Sequence, residues 1–422
     1  MLKRPVRQLG IYLYITLLIY ISMYIATDNQ NMFFTVVITS FFFLCFVIGG
    51  ISYGSENAQV IKENISFKMG INTIIFIRYC CISLIVVSLV NVFTVYTDFI
   101  MVMKYIQNPG KAYEMVKFVA RHGIAEGAIS GIPSLIGVFL NMHTFTKYVV
   151  IVFGITYWKK ISFFDRILVI LSIIIYILHS FLIGAMINIG TLLFTVLPFL
   201  WMQKNSIDKN TKRSRLIFVL AIAMILIVIM YFRGSRDMEN ADKSFLETVY
   251  SGFIGLLGYA AHGYVGLAEC LDLPWKSTFG MVSFRGLTYK LFPNIFEQMW
   301  EHSYLFRNEL VNRRPSLQVW STIFPWLASD FSFFSIPFIM FAVGRLITFI
   351  WLEVIYNRNP YALLLMSQLL IFTIMIPANN QLFHTFGNAS ATIICSLLYL
   401  IYLIRNKYFK SIRIACVPIN AI

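Results

Sequence analysis

The chain has 422 residues, 59% of them hydrophobic and only 13% charged, a balance that excludes a water-soluble globular fold of this size. Apolar windows of about 18 or more residues recur along the length, which suits membrane helices and excludes a barrel built from ~10-residue alternating strands. The formal charge of +15 falls largely in short loops that the topology assigns to the cytoplasm, so membrane-insertion rules account for it without a nucleic-acid partner.

Lys3, Arg4 and Arg7 precede the apolar run 10–26, which predicts an uncleaved first helix with its basic end inside. Spans at 31–53 and 70–96 follow, separated by the polar connector 56–68, with Arg78 near the inner end of the third, where its stem can snorkel. The connector 98–130 carries Lys104, Lys111, Lys117, Arg121 and His122 on the outer side, against the positive-inside bias. Cations kept on that disfavoured face usually have something to bind. The fourth span, 131–158, holds Asn141, His143 and Lys147 near its middle, where a functional role and a polar kink fit equally well. Lys159, Lys160 and Arg166 mark the inner face before a hairpin of spans at 167–182 and 185–201. The basic cluster 204–215 returns inside, and the seventh span, 216–232, delivers Arg233 to the outer face.

Residues 233–330 break the pattern. This insert is polar, aromatic and charged, with nine Lys/Arg against ten Asp/Glu, so its arginines are not a bulk electrostatic carpet. They cluster at its edges instead: Arg233 and Arg236 leave span seven, while Arg313 and Arg314 lie shortly before span eight. The apolar, glycine-rich stretch 250–271 resembles a further span, but counting it would put Arg405, Lys407, Lys410 and Arg413 outside, so it predicts a helix on or in the outer interface. Three more spans, at 331–354, 360–376 and 386–404, complete an all-α polytopic membrane protein of about ten transmembrane helices with both ends cytoplasmic. The chain thus divides into helices 1–7 (1–232), a large periplasmic loop with short helices (233–330), and helices 8–10 with a basic tail (331–422).

Arginine presents a planar fork of donors suited to bidentate phosphate contact, and a pair at the membrane surface suits a diphosphate. Pairing with Asp237, Glu239 or Glu309, or anchoring at headgroups, explains any single one of them equally well. His262 and Glu269 stand seven apart, hence on one helical face, where a histidine accepts a hydroxyl proton and a carboxylate orients it. A capping or core histidine is the commoner origin of such spacing. The six cysteines, Cys45, Cys80, Cys81, Cys270, Cys395 and Cys416, are scattered, and no outer loop carries a metal-ligand motif, so no cofactor is expected. The aromatics of the insert, Trp275 to Trp326, suit sugar stacking and an interfacial belt alike.

Arg233-Gly-Ser-Arg236, the glycine-rich 250–266 stretch and, above all, Ser316-Leu-Gln-Val-Trp-Ser-Thr-Ile-Phe-Pro-Trp-Leu-Ala-Ser-Asp330-Phe-Ser-Phe-Phe334 carry a resemblance. Together with the topology, they resemble the Wzy-type polymerases of O-antigen and capsular repeat units. That family's last element often reads Asn-x-Tyr-Thr followed by Asp-Phe-Gly, and Ser332 stands here where the glycine is expected. The resemblance implies a metal-independent glycosyltransferase in the bacterial inner membrane. It polymerises undecaprenyl-diphosphate-linked oligosaccharides at the periplasmic face, with membrane lipid and a chain-length regulator protein as partners. It also implies Arg121, Arg233 and Arg236 on the donor diphosphate, Arg313 and Arg314 on the acceptor lipid, Arg285 in reserve, and His262 or Glu269 assisting deprotonation. An O-antigen ligase shares the donor and the late loop; a flippase for the same lipid requires charges inside the bundle, where Lys147 and Arg345 are the deep candidates.

Overall fold

The computed structural model describes residues 4–25, 31–53, 71–95, 134–183, 186–203, 209–235, 244–316 and 321–415. Among them the regular structure is entirely helical. Seven helices are long and apolar enough to cross a membrane, and three shorter apolar helices, Ile187–Met202, Ala223–Gly234 and Pro360–Met375, stand where the sequence predicts further spans. The chain is a membrane-embedded helical protein.

Before the insert the helices are α1 (Arg4–Tyr24), α2 (Met32–Ser52), α3 (Ile71–Val95), α4 (Ser134–Met142) continued by α5 (Thr146–Tyr157), α6 (Phe163–Leu182), α7 (Met186–Gln203) and α8 (Lys209–Gly234). The insert supplies α9 (Phe245–Leu271), α10 (Arg285–Leu291), α11 (Pro293–His302), α12 (Tyr304–Asn312) and α13 (Ile323–Phe331); α14 (Ile336–Asn357), α15 (Pro360–Met375) and α16 (Phe386–Ala415) follow.

Local chemistry sets the boundaries. Ser162 caps α6 by accepting from the Asp165 amide at 3.2 Å, and Asp165 in the first turn faces the positive end of the helix dipole. The same carboxylate takes Arg78 Nε at 2.6 Å. Arg78 therefore ends in an ion pair to α6, a partner that simple snorkelling did not include. α2 and α14 pack through glycine: a Cβ on Gly49 would strike the Phe341 carbonyl, and one on Gly344 the Phe46 carbonyl. Small residues let two backbones meet where lipid offers no hydrophobic drive to associate.

The fourth span is interrupted by a 3-10 turn, His143–Phe145. His143 is fully used there, with Nδ1 on the Phe139 carbonyl at 2.7 Å and Nε2 2.7 Å from the Tyr79 hydroxyl. The polar kink accounts for His143, whereas Lys147 is carried into the interior, 2% exposed. Arg345 is exposed, with its guanidinium 5.4 Å from the Tyr53 ring centre, and it joins neither ion pair among the described residues.

α9 packs against α8, α1 and α2. Its first half rests on the end of α8, where Gly234 and Gly252 bring the backbones together, and its second half reaches Tyr24 of α1 and Asn31 at the start of α2. The connector after α15 joins this packing: Thr322 N donates to Gly263 O at 3.0 Å, Ile323 N to Ile376 O at 2.9 Å and Gly286 N to Phe383 O at 2.6 Å.

Ser332, between α13 and α14, has φ 65° and ψ 160°, a conformation that only glycine adopts without strain. Ser332→Gly is expected to raise stability by about 1 kcal/mol, the released strain less the extra unfolded-state entropy of glycine. Thermal melting in detergent checks this; a melting temperature at or below wild type refutes it.

Candidate functional site

The site is built on α9. A capping box starts the helix: Ser244 Oγ accepts from the Glu247 amide at 3.4 Å and the Ser244 amide donates to the Glu247 carboxylate at 2.8 Å. Positions 255, 259, 262, 266 and 269 then recur at helical spacing and form one stripe. Gly255 makes room for Arg233, whose guanidinium lies 4.4 Å from the Tyr259 ring centre. One turn on, His262 Nδ1 sits 2.8 Å from the Tyr24 hydroxyl. Two turns further, Glu269 takes Arg314 Nε at 2.6 Å and Asn308 Nδ2 at 2.9 Å, while Arg314 Nη1 reaches the His262 carbonyl at 3.5 Å. Ten residues at 1.5 Å rise separate Tyr259 from Glu269, so the two guanidinium groups flank His262 along about 15 Å of helix.

The expected His262–Glu269 couple is not made. Seven residues leave the two side chains two turns apart, and each finds a nearer partner: Tyr24 for the ring, Arg314 and Asn308 for the carboxylate. Glu269 therefore positions Arg314. Partial burial, and secondarily the Arg314 charge, push the His262 pKa down, which favours the uncharged ring. Arg313 is exposed at the left-handed end of α12, with φ 54°. The anticipated acid partners of Arg314 do not include Glu269, and Glu309 instead accepts from the Ser316 amide and hydroxyl at 3.1 and 2.6 Å. Arg121 and Arg236 lie outside the described residues.

Arg285 belongs to a second cluster. Asp330, 4% exposed, accepts from the Gly280, Val282 and Ser283 amides at 2.9, 3.4 and 2.6 Å and from the Thr278 hydroxyl, fixing the turn that opens α10. From α10, Arg285 Nη1 donates to the His384 carbonyl at 2.8 Å and lies 5.9 Å from both the Tyr289 and Trp300 rings. Burial lowers the Arg285 pKa. Its bond to the connector makes it a brace between α10 and residue 384 rather than a member of the α9 stripe.

Burial, and secondarily Arg285, push the His384 pKa down to about 4. The unfolded chain then binds this proton more readily than the folded one. Stability from His384 is complete above the unfolded value of about 6.5 and is lost as pH falls from there towards 4, by at most roughly 3 kcal/mol. Melting temperature against pH is expected to drop over that window and to flatten in His384→Asn; parallel curves refute the assignment.

Tyr24, Tyr259 and Asn308 escaped sequence reasoning because their partners lie far along the chain; the only local signal was a tyrosine at the end of the first span. Among the described residues no three His, Cys, Asp or Glu side chains gather as a metal site requires. No protein-family model, curated protein or solved structure matches this chain.

Proposed function

We propose that the chain is a membrane glycosyltransferase that joins undecaprenyl-diphosphate-linked oligosaccharide repeat units at the periplasmic face of the bacterial inner membrane, with ten spans and both termini cytoplasmic. The observation that carries this reading is the α9 stripe, in which an imidazole lies between two guanidinium groups along one helix. An acceptor sugar hydroxyl attacks the anomeric carbon of the donor glycan; the bond to the diphosphate oxygen breaks and the lipid diphosphate leaves. His262 takes the hydroxyl proton, and the charge that accumulates on the leaving diphosphate meets fixed cations. Arg233 serves the donor with Arg236 and Arg121, and Arg313 serves the acceptor lipid beside Arg314. Glu269, itself bonded by Asn308, holds Arg314 in place.

The test is to incubate purified protein in nanodiscs with a synthetic undecaprenyl-diphosphate repeat unit, with and without EDTA. A ladder of products in both conditions supports the reading, and its absence in both overturns it. Transfer only when a lipid A core acceptor is supplied identifies a ligase instead.

A further inference from the structure

Lys147 is carried by α5 into the interior of the bundle and is 2% exposed. Its ammonium donates to the Tyr176 hydroxyl at 3.1 Å and lies 4.9 and 5.5 Å from the Tyr148 and Tyr176 ring centres. The ion pairs among the described residues are Arg78–Asp165 and Arg314–Glu269, and neither involves it. Aromatic faces and a hydroxyl only partly replace the hydration of an ammonium group, which brings three donors and uses one here. One turn from Tyr176 on α6 stands His179, 6% exposed, its ring 6.0 Å from the Tyr176 ring, and neither of its nitrogens has a hydrogen-bond partner. Whichever tautomer it adopts, at least one N–H is left over. Two side chains on facing helices thus bring spare donors to the same tyrosine, in a setting where an unanswered cation is costly.

We propose that Lys147, Tyr176 and His179 form an intramembrane site for one small monovalent anion of chloride size. An anion answers the ammonium charge and the idle imidazole N–H together. A monoatomic ion asks for less room than a phosphate among three side chains that are at most 7% exposed. The site lies on α5 and α6, away from the α9 stripe, so it stands or falls independently of the transferase reading.

Melting temperature in detergent is measured against chloride, bromide and gluconate at constant sodium and ionic strength, and crystals grown in bromide are examined by anomalous diffraction. A saturable rise with halide over gluconate, absent in Lys147→Met, and a bromide peak beside Lys147 Nζ are expected. Identical melting in all three salts, or no bromide at Lys147, overturns the proposal. Should Lys147→Met fail to fold, His179→Leu decides: the loss of one hydrogen bond to a charged ion moves the halide midpoint about tenfold, and an unmoved midpoint overturns the proposal.

Discussion

Asp330→Ala is expected to destabilise the protein by about 4 kcal/mol, the largest effect of any single substitution outside the spanning helices. The carboxylate receives three backbone amides and one hydroxyl, and it is almost fully enclosed. A hydrogen bond to a charged acceptor contributes about 1.5–3 kcal/mol, and each donor left buried without a partner adds its own desolvation penalty. Water entering the vacated space offsets part of that sum, which is why the expectation is well below four full bonds. Asp330→Asn keeps the shape but turns an amide NH2 towards donor groups, and about 2 kcal/mol is expected. The turn at 278–283 carries α10, and α10 carries the Arg285 bond to residue 384, so the same variant is expected to lose activity at a site it does not touch. Melting within 1–2 °C of wild type for Asp330→Ala would show that the turn holds without its carboxylate.

Helix existence and placement were legible because hydropathy and helical period are local properties. The third span, predicted at 70–96, is Ile71–Val95, and the helix predicted at 250–271 is Phe245–Leu271, extended at its start by the Ser244–Glu247 capping box. The first helix begins at Arg4 rather than residue 10, since its first turn is polar and carries no hydropathy signal. The positive φ of Ser332 carries no signal in hydropathy or helical period. The polar pairings were not legible. Tyr24 and His262 lie 238 residues apart, Glu269 and Arg314 45, and Thr278 and Asp330 52; nothing in the spacing of one element announces which distant element it meets. His262 and Glu269 share a face of one helix, but tertiary packing gives each a nearer partner from a distant element.

Arg233→Ala is expected to lower polymer formation on the order of 10²-fold while leaving stability within about 1 kcal/mol of wild type. Its guanidinium rests on the Tyr259 ring, and it takes no part in the ion pairs among the described residues, so little folding energy depends on it. Arg314 is the opposite case. Its side chain is 13% exposed and that of Glu269 is 25%, so Arg314→Ala strands a largely enclosed carboxylate and is expected to cost about 2 kcal/mol of stability. Glu269→Gln in the Arg314→Ala background removes the stranded charge and is expected to recover about half of that loss without recovering activity. Arg233→Lys keeps the charge but not the fork, and an intermediate rate is expected if the partner is a diphosphate held by two oxygens. Product ladders and melting curves on the same preparations separate the two arginines: an Arg233→Ala protein that melts normally and still makes wild-type chain lengths would remove the α9 stripe from the chemistry.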